Sequence, residues 1–202
     1  DRLKTKYSDQ LQENDKSNFK DNLKIINNQI KQIEKLVNEF SDFARMPKPI
    51  FQKNDLVILL QENIKLLKEL DRSIEITLSN NLKNIILNSD KEQLSRVFFN
   101  LIKNSIESIH QKHEKDSNDN KKITIELKDF SDHIRLIIID TGIGFKNLKS
   151  NIKDILNPYF TTKKNGTGLG LSIVNKIIND HNGNIRFKTV DNGAKVEIIF
   201  IK

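Results

Sequence analysis

The 202-residue chain contains no cysteine and no tryptophan, and only one methionine and three prolines. Without cysteine there is no disulfide and no thiolate metal site, a composition that suits a reducing cytosol. Long apolar runs are missing as well. No stretch approaches the roughly 20 residues that span a bilayer, and no secretory signal stands at Asp1. Aromatic residues make up only 6%. That scarcity, with lysines interspersed among Asp and Glu rather than gathered into one basic run, argues against nucleic acid as a partner despite the net charge of +7. At this length the chain can bury one domain of ordinary size with a helical appendage.

Glycine is scarce too, at seven residues, which draws attention to Gly166, Gly168 and Gly170 in the run Gly166-Thr167-Gly168-Leu169-Gly170-Leu171. Glycines at alternate positions before a helix remove side chains where backbone N–H groups must approach an anion, and the positive end of the helix dipole faces the same point. The preceding run Pro158-Tyr159-Phe160-Thr161-Thr162-Lys163 adds hydroxyls and positive charge. The spacing matches neither the dinucleotide fingerprint nor the phosphate loop of nucleotide triphosphatases, and a plain Gly-rich turn remains an alternative. Upstream, Arg135 to Ile139 forms a buried-strand pattern that ends in Asp140-Thr141-Gly142-Ile143-Gly144, where ligand-contacting residues of α/β sheets commonly sit. Further upstream, Asn100, Asn104 and Glu107 fall on one polar stripe of a periodic helix. Leu94, Val97, Phe98, Leu101, Ile102, Ser105 and Ile109 gather on its other side.

The remaining pattern divides the chain at Met46-Pro47-Lys48-Pro49, since two prolines cannot continue a helix. Residues 1–46 carry a heptad seam at Leu23, Ile26, Ile30, Ile33, Val37, Phe40 and Ala44. With Leu3 and Tyr7 before a polar turn at Gln12 to Ser17, this suggests an antiparallel hairpin that dimerises into a four-helix bundle; a single helix packed on its own domain is the alternative. Residues 47–202 predict a strand near Phe51, a helix over Leu56 to Leu70, and strands at Ile74 to Leu78 and Asn84 to Leu87. The asparagine-bearing helix is predicted to start at a Ser89-x-x-Glu92 capping box. A polar loop over His110 to Lys122 precedes strands at Ile123 to Lys128 and Ile134 to Ile139. A helical pattern over Leu148 to Leu156 is followed by a helix from about Gly168. Strands at Asn184 to Val190 and Ala194 to Ile201 close the chain. Helices on one face of a mixed sheet make an α+β, two-layer sandwich.

These motifs, in this order, resemble the ATP-binding domain of bacterial sensor histidine kinases, within the wider gyrase, heat-shock-chaperone and MutL group of ATPases. Asn100 to Glu107 resembles the family's asparagine box and Asp140 to Gly144 its first glycine box. Pro158 to Lys163 resembles its phenylalanine box, and Gly166 to Leu171 its second glycine box. The stretch from Val37 to Pro49 further resembles the junction in NtrY-type nitrogen-regulation sensor kinases.

The resemblance implies ATP and Mg2+ as ligands, with Asn104 as the magnesium ligand and Asn100 and Glu107 toward the phosphate and the incoming acceptor. Asp140 would accept from the adenine amino group, with Gly142 and Gly144 under the base. Phe160, Thr161, Thr162 and Lys163 would belong to a short ATP lid, Lys163 neutralising charge during transfer. It also implies a response-regulator receiver domain as partner, and a cytoplasmic domain of an inner-membrane sensor whose membrane segments are not in this chain.

The acceptor histidine of such kinases sits in a His-Glu/Asp-x-x-Asn-Pro box, which this sequence lacks; His110, His113, His133 and His181 read as surface or helix-terminal residues. The chain is therefore expected to begin after that histidine. Two other readings stand beside this one: a nucleotide-binding signalling scaffold without transfer activity, and an aspartic protease built on Asp140-Thr141-Gly142.

Overall fold

A computed structural model of the chain describes residues 13–114, 120–145, 151–163 and 166–202. The chain divides into two compact units. One takes in Asp1–Met46 with Thr162–Thr167, the other Pro47–Thr161 with Gly168–Lys202.

In the first unit, helix α1 spans Glu13–Ala44. It closes with the Arg45 N–H donating to Ser41 O at 2.9 Å, just before the two prolines. The expected turn at Gln12 to Ser17 is corrected from Glu13 onward, because Glu13 to Ser17 are helical. Polar residues there cost only tenths of a kcal/mol each as helix formers, so a polar run need not break a helix. Leu3, Tyr7 and the arm they would form lie outside the described residues. The seam side chains Ile26, Ile30, Ile33, Val37 and Phe40 are each about half exposed.

The second unit begins with β1 (Gln52–Asp55), paired antiparallel with β3 (Ile86–Ser89). Between them lie α2 (Leu56–Leu70) and β2 (Glu75–Asn80). Asp55 caps α2 by accepting the Val57 N–H. Helix α3 (Lys91–His113) leads to β4 (Lys122–Asp129) and β5 (His133–Asp140). A 3-10 helix at Ile152–Leu156 precedes α4 (Gly170–Asp180), and β6 (Gly183–Val190) and β7 (Gly193–Ile201) complete the fold. The main sheet has the order β2-β4-β5-β7-β6, with β2 parallel to β4 and the other pairs antiparallel.

Alternation along the strands decides which face is covered. Ile123, Ile125 and Leu127 of β4, Ile134, Leu136 and Ile138 of β5, and Ile198 and Phe200 of β7 are almost wholly buried. Against them lie the apolar stripes of the helices: Leu56, Leu60 and Leu67 from α2, Leu94, Phe98, Ile102 and Ile109 from α3, and Ile173, Val174 and Ile177 from α4. The unit is an α+β, two-layer sandwich. A protease of the aspartic type is built almost wholly of strands, so the helical layer removes that alternative.

Helix α3 starts one residue later than expected. Asp90, not Ser89, is its N-cap and accepts the Gln93 N–H at 3.0 Å, while Ser89 is the last residue of β3. Burial works against the Asp90 carboxylate, but the N–H groups of Gln93, Ile50 and Glu92 outweigh it and hold its pKa below the usual value.

His181 is helix-terminal, as expected, and it has a second role. It does cap the C-terminus of α4, but it is buried rather than exposed. Its Nε2 accepts the Asp90 N–H at 3.0 Å and its Nδ1 lies 2.8 Å from Ile177 O, which assigns the neutral tautomer with the proton on Nδ1. The ring thereby ties the start of α3 to the end of α4.

Candidate functional site

The strand β5 delivers Asp140 into the interior, where its side chain is 4% exposed. Three donors hold the carboxylate. Oδ1 accepts the Gly142 N–H at 2.9 Å and the Ala194 N–H at 3.3 Å, and Oδ2 accepts the Ser105 hydroxyl at 3.1 Å. Burial is the largest influence on this group and raises its pKa above the usual carboxylate value; the three hydrogen bonds and the charge of Lys112 act the other way without cancelling it. Lys112 Nζ also donates to Thr141 O at 3.2 Å, so the far end of α3 is fastened to the loop that follows Asp140.

Gly142 is required by that closeness. A Cβ there would stand 2.2 Å from Ser108 Oγ, the same hydroxyl that accepts the Ile143 N–H at 3.1 Å. The loop from Asp140 to Gly144 is thus laid directly against α3. Asn100, Asn104 and Glu107 lie on α3 at gaps of four and three, all partly exposed, on the stripe away from Leu101 and Ile102. Glu107 lies 4.0 Å from Lys103 Nζ.

Asn100 also meets the second glycine motif. A Cβ on Gly170 would lie 3.7 Å from Asn100 Oδ1, so the start of α4 runs beside the asparagine helix. Leu169, the N-cap of α4, is fully buried and supplies no side-chain cap, while Leu171 is partly exposed. A helix start without a side-chain cap leaves its first N–H groups for another acceptor, such as a phosphate oxygen. Gly168 has φ +72°, and a Cβ there would come 2.4 Å from the Tyr159 backbone, so only glycine fits between α4 and the Pro158 to Phe160 turn. Phe160 is partly buried, its N–H donating to Asn157 O at 3.2 Å, and Thr161 is exposed.

The second unit therefore brings together Asn100, Asn104 and Glu107 with Asp140, Gly142, Gly144, Phe160, Thr161 and Gly168 to Leu171. Thr162, Lys163, Gly166 and Thr167 belong to the first unit. There the Gly166 N–H donates to Lys163 O at 3.2 Å, and the Thr167 hydroxyl donates to the Glu39 carboxylate. Of the expected helical pattern at Leu148 to Leu156, only the 3-10 helix at Ile152–Leu156 is found, capped by a reciprocal Asn151–Asp154 box; 146–150 lie outside the described residues.

Ser105 and Ser108 were not among the expected site residues, although both touch the Asp140 loop. The available signal was a hydroxyl on the apolar stripe of α3, since a buried hydroxyl has to find a partner. Among the described residues no group of three or more His, Cys, Asp or Glu is placed to hold a metal ion. The amide set on α3 fits a magnesium ion that arrives with substrate phosphates and keeps its waters, rather than one caged by the protein alone.

Comparison with known proteins gives this geometry a family. Residues 89–202 match the model for histidine kinase-, DNA gyrase B-, and HSP90-like ATPases. The chain is 34% identical over 201 residues to a putative sensor histidine kinase NtrY-like of Rickettsia prowazekii, covering 99% of this chain and 32% of that protein. It is 29% identical over 194 residues to the nitrogen regulation protein NtrY of Azorhizobium caulinodans, covering 96% of this chain and 24% of that protein. The chain thus spans a third or less of the length of these relatives.

Among solved structures, the catalytic domain of histidine kinase ThkA is similar at TM-score 0.65 and 28% identity, over 76% of this chain and 96% of that one. ThkA in complex with the response regulator protein TrrA is similar at TM-score 0.70 and 25% identity, over 91% of this chain and 51% of that one. Among the described residues no helix is long and apolar enough to cross a membrane. With more than half its length matched, the chain belongs to the histidine kinase-, DNA gyrase B-, and HSP90-like ATPases.

Proposed function

We propose that this chain binds ATP with Mg2+ and donates the γ-phosphoryl group to a histidine preceding Asp1 in the intact protein, from which it passes to the receiver domain of a response regulator. The imidazole nitrogen forms the new bond to phosphorus, the bond to the β–γ bridging oxygen breaks, and ADP leaves. Asp140 accepts from the adenine amino group, over Gly142 and Gly144. Magnesium would be held by the Asn104 amide oxygen and would screen the phosphate charge. Asn100 and Glu107 orient the phosphate and the incoming acceptor. Thr161 would lie toward the phosphates, and the first N–H groups of α4, at Gly170 and Leu171, would receive their oxygens.

The observation that supports this best is the buried Asp140 carboxylate. Three donors fix its direction, and one acceptor position is left over. A calorimetric titration tests it: ATP should bind in the presence of magnesium and GTP should bind at least tenfold more weakly. Equal affinities would remove the adenine contact.

The same proposal gives the chain a second copy of itself as partner, through the exposed seam of α1. Ile30 and Ile33 are 48% and 58% exposed and lie three residues apart on that seam. Replacing both with Asp would bury unpaired charge in a helical bundle at a cost of several kcal/mol. Light scattering at micromolar concentration should show a dimer for the natural sequence and a monomer for the double variant. A monomer before substitution would contradict the bundle. The likeness to NtrY suggests nitrogen status as the regulated process, and any membrane attachment would come through segments not in this chain.

A further inference from the structure

Asp140 ends β5 in a setting that is almost entirely accounted for. A carboxylate offers about four lone-pair positions. Gly142 and Ala194 take both on Oδ1, and Ser105 takes one on Oδ2. The fourth, on Oδ2, is the one that can meet a ligand. Two of the three donors are backbone groups that no side-chain replacement removes. Ser105 is the one side-chain donor, it is 3% exposed, and it lies on the apolar face of α3 directly after Asn104. The charged group facing Asp140 is Lys112, also from α3, while β4 and β7 present the apolar Ile123 and Ala194 opposite it.

Taking Asp140 as the adenine contact, as proposed above, we infer that Ser105 is the specificity-determining partner of that contact: its hydroxyl holds Oδ2 as an acceptor aimed at an amino group. The chemistry follows from the two purines. Adenine presents an amino donor at the position where guanine presents an oxo acceptor. An ionised carboxylate accepts from the first and repels the second, whereas a protonated carboxyl can donate to the oxo group. Burial disfavours the charged form of Asp140, and the donors around it together with the charge of Lys112 favour that form. Removing the hydroxyl takes away the donor that shares Oδ2 with the base, so both the direction and the charge of that oxygen are loosened. Ser105 acts through Asp140 and is a positioning residue, not a catalytic one.

The test is the affinity of the full chain for ATP and for GTP, with magnesium, between pH 5 and pH 8. In the natural sequence ATP binding should weaken as pH falls through the raised Asp140 pKa, while GTP binding should not. Ser105→Ala should bind ATP about tenfold more weakly at pH 7, with GTP little changed, and its loss of ATP affinity should set in at a higher pH. Ser105→Thr, which keeps the hydroxyl, should restore both affinity and pH profile.

If Ser105→Ala does not fold, Ser105→Cys replaces a strong donor by a weak one, and the same upward displacement of the pH profile is expected in smaller degree. A natural sequence that prefers ATP with this pH dependence, but whose Ala or Cys variant shows the same profile, overturns the role of Ser105 alone. A natural sequence that does not distinguish ATP from GTP overturns the adenine contact on which it rests.

Discussion

Asp140→Asn should fold, melt at a higher temperature at pH 7, and bind ATP about a hundredfold more weakly or worse. The fold tolerates the change because an amide can keep all three partners. Its oxygen accepts from Gly142 and Ala194, and its NH2 group donates to Ser105 Oγ in the reversed sense. That same NH2 then faces the adenine amino group, donor against donor, and a buried unpaired donor is what nucleotide sites reject most strongly.

The gain in stability follows from linkage. Burial raises the folded-state pKa of Asp140 above the usual carboxylate value, so its contribution to stability is full below that value and is lost as pH rises through the folded pKa. At pH 7 the carboxylate is a destabilising charge that the amide removes. The melting difference between the two proteins should therefore shrink as pH is lowered toward 4, which thermal denaturation across that range checks. An Asn variant that binds ATP normally would separate Asp140 from the site.

The second large effect is expected at Asn104. Asn104→Ala should lose most of the magnesium-dependent part of ATP affinity, a loss of about tenfold to a hundredfold, while binding measured in excess chelator changes little. Stability should stay within about 0.5 kcal/mol, because the side chain lies on the partly exposed stripe and its removal leaves Leu101 and Ile102 in place. Parallel titrations with and without magnesium resolve the two components. Equal loss in both would make Asn104 a direct phosphate contact rather than a metal ligand.

Where local chemistry decides the structure, the sequence was legible. The spacing of Leu56, Leu59, Leu60 and Leu67 puts α2 at its observed bounds, and Asp55 supplies its cap. The same rules missed by one at α3, because Ser89 and Asp90 are both good caps and only the pairing of Ser89 with Gln52 in the β1–β3 ladder chooses between them. The parallel pairing of β2 with β4 depends on partners about 47 residues apart, for example Ile76 with Ile123, and no local pattern encodes it.

The burial of His181 was hidden for the same reason: its acceptor nitrogen is satisfied by Asp90, 91 residues away. At the candidate site, the polar stripe of α3 and the Asp140 loop were visible as residue types in order. Ser105 was hidden because it falls in an apolar register, where a small side chain reads as packing. Its partner appears only when β5 and α3 are laid together.

The most direct test of the central claim is phosphoryl transfer from labelled ATP. None of the four histidines lies on α1. His181 is buried, His110 Nε2 is 2.5 Å from Asp71 Oδ2, His113 ends α3, and His133 starts β5 beside Asp132. With magnesium and γ-labelled ATP, the 202-residue chain alone should gain no acid-labile, base-stable phosphate. A longer chain that starts before the upstream histidine box should become labelled, and the same longer chain carrying Asn104→Ala should not. Labelling of the 202-residue chain on one of its own histidines, or a longer chain that binds ATP yet never becomes labelled, would contradict the proposal that this chain is the kinase core that serves that histidine.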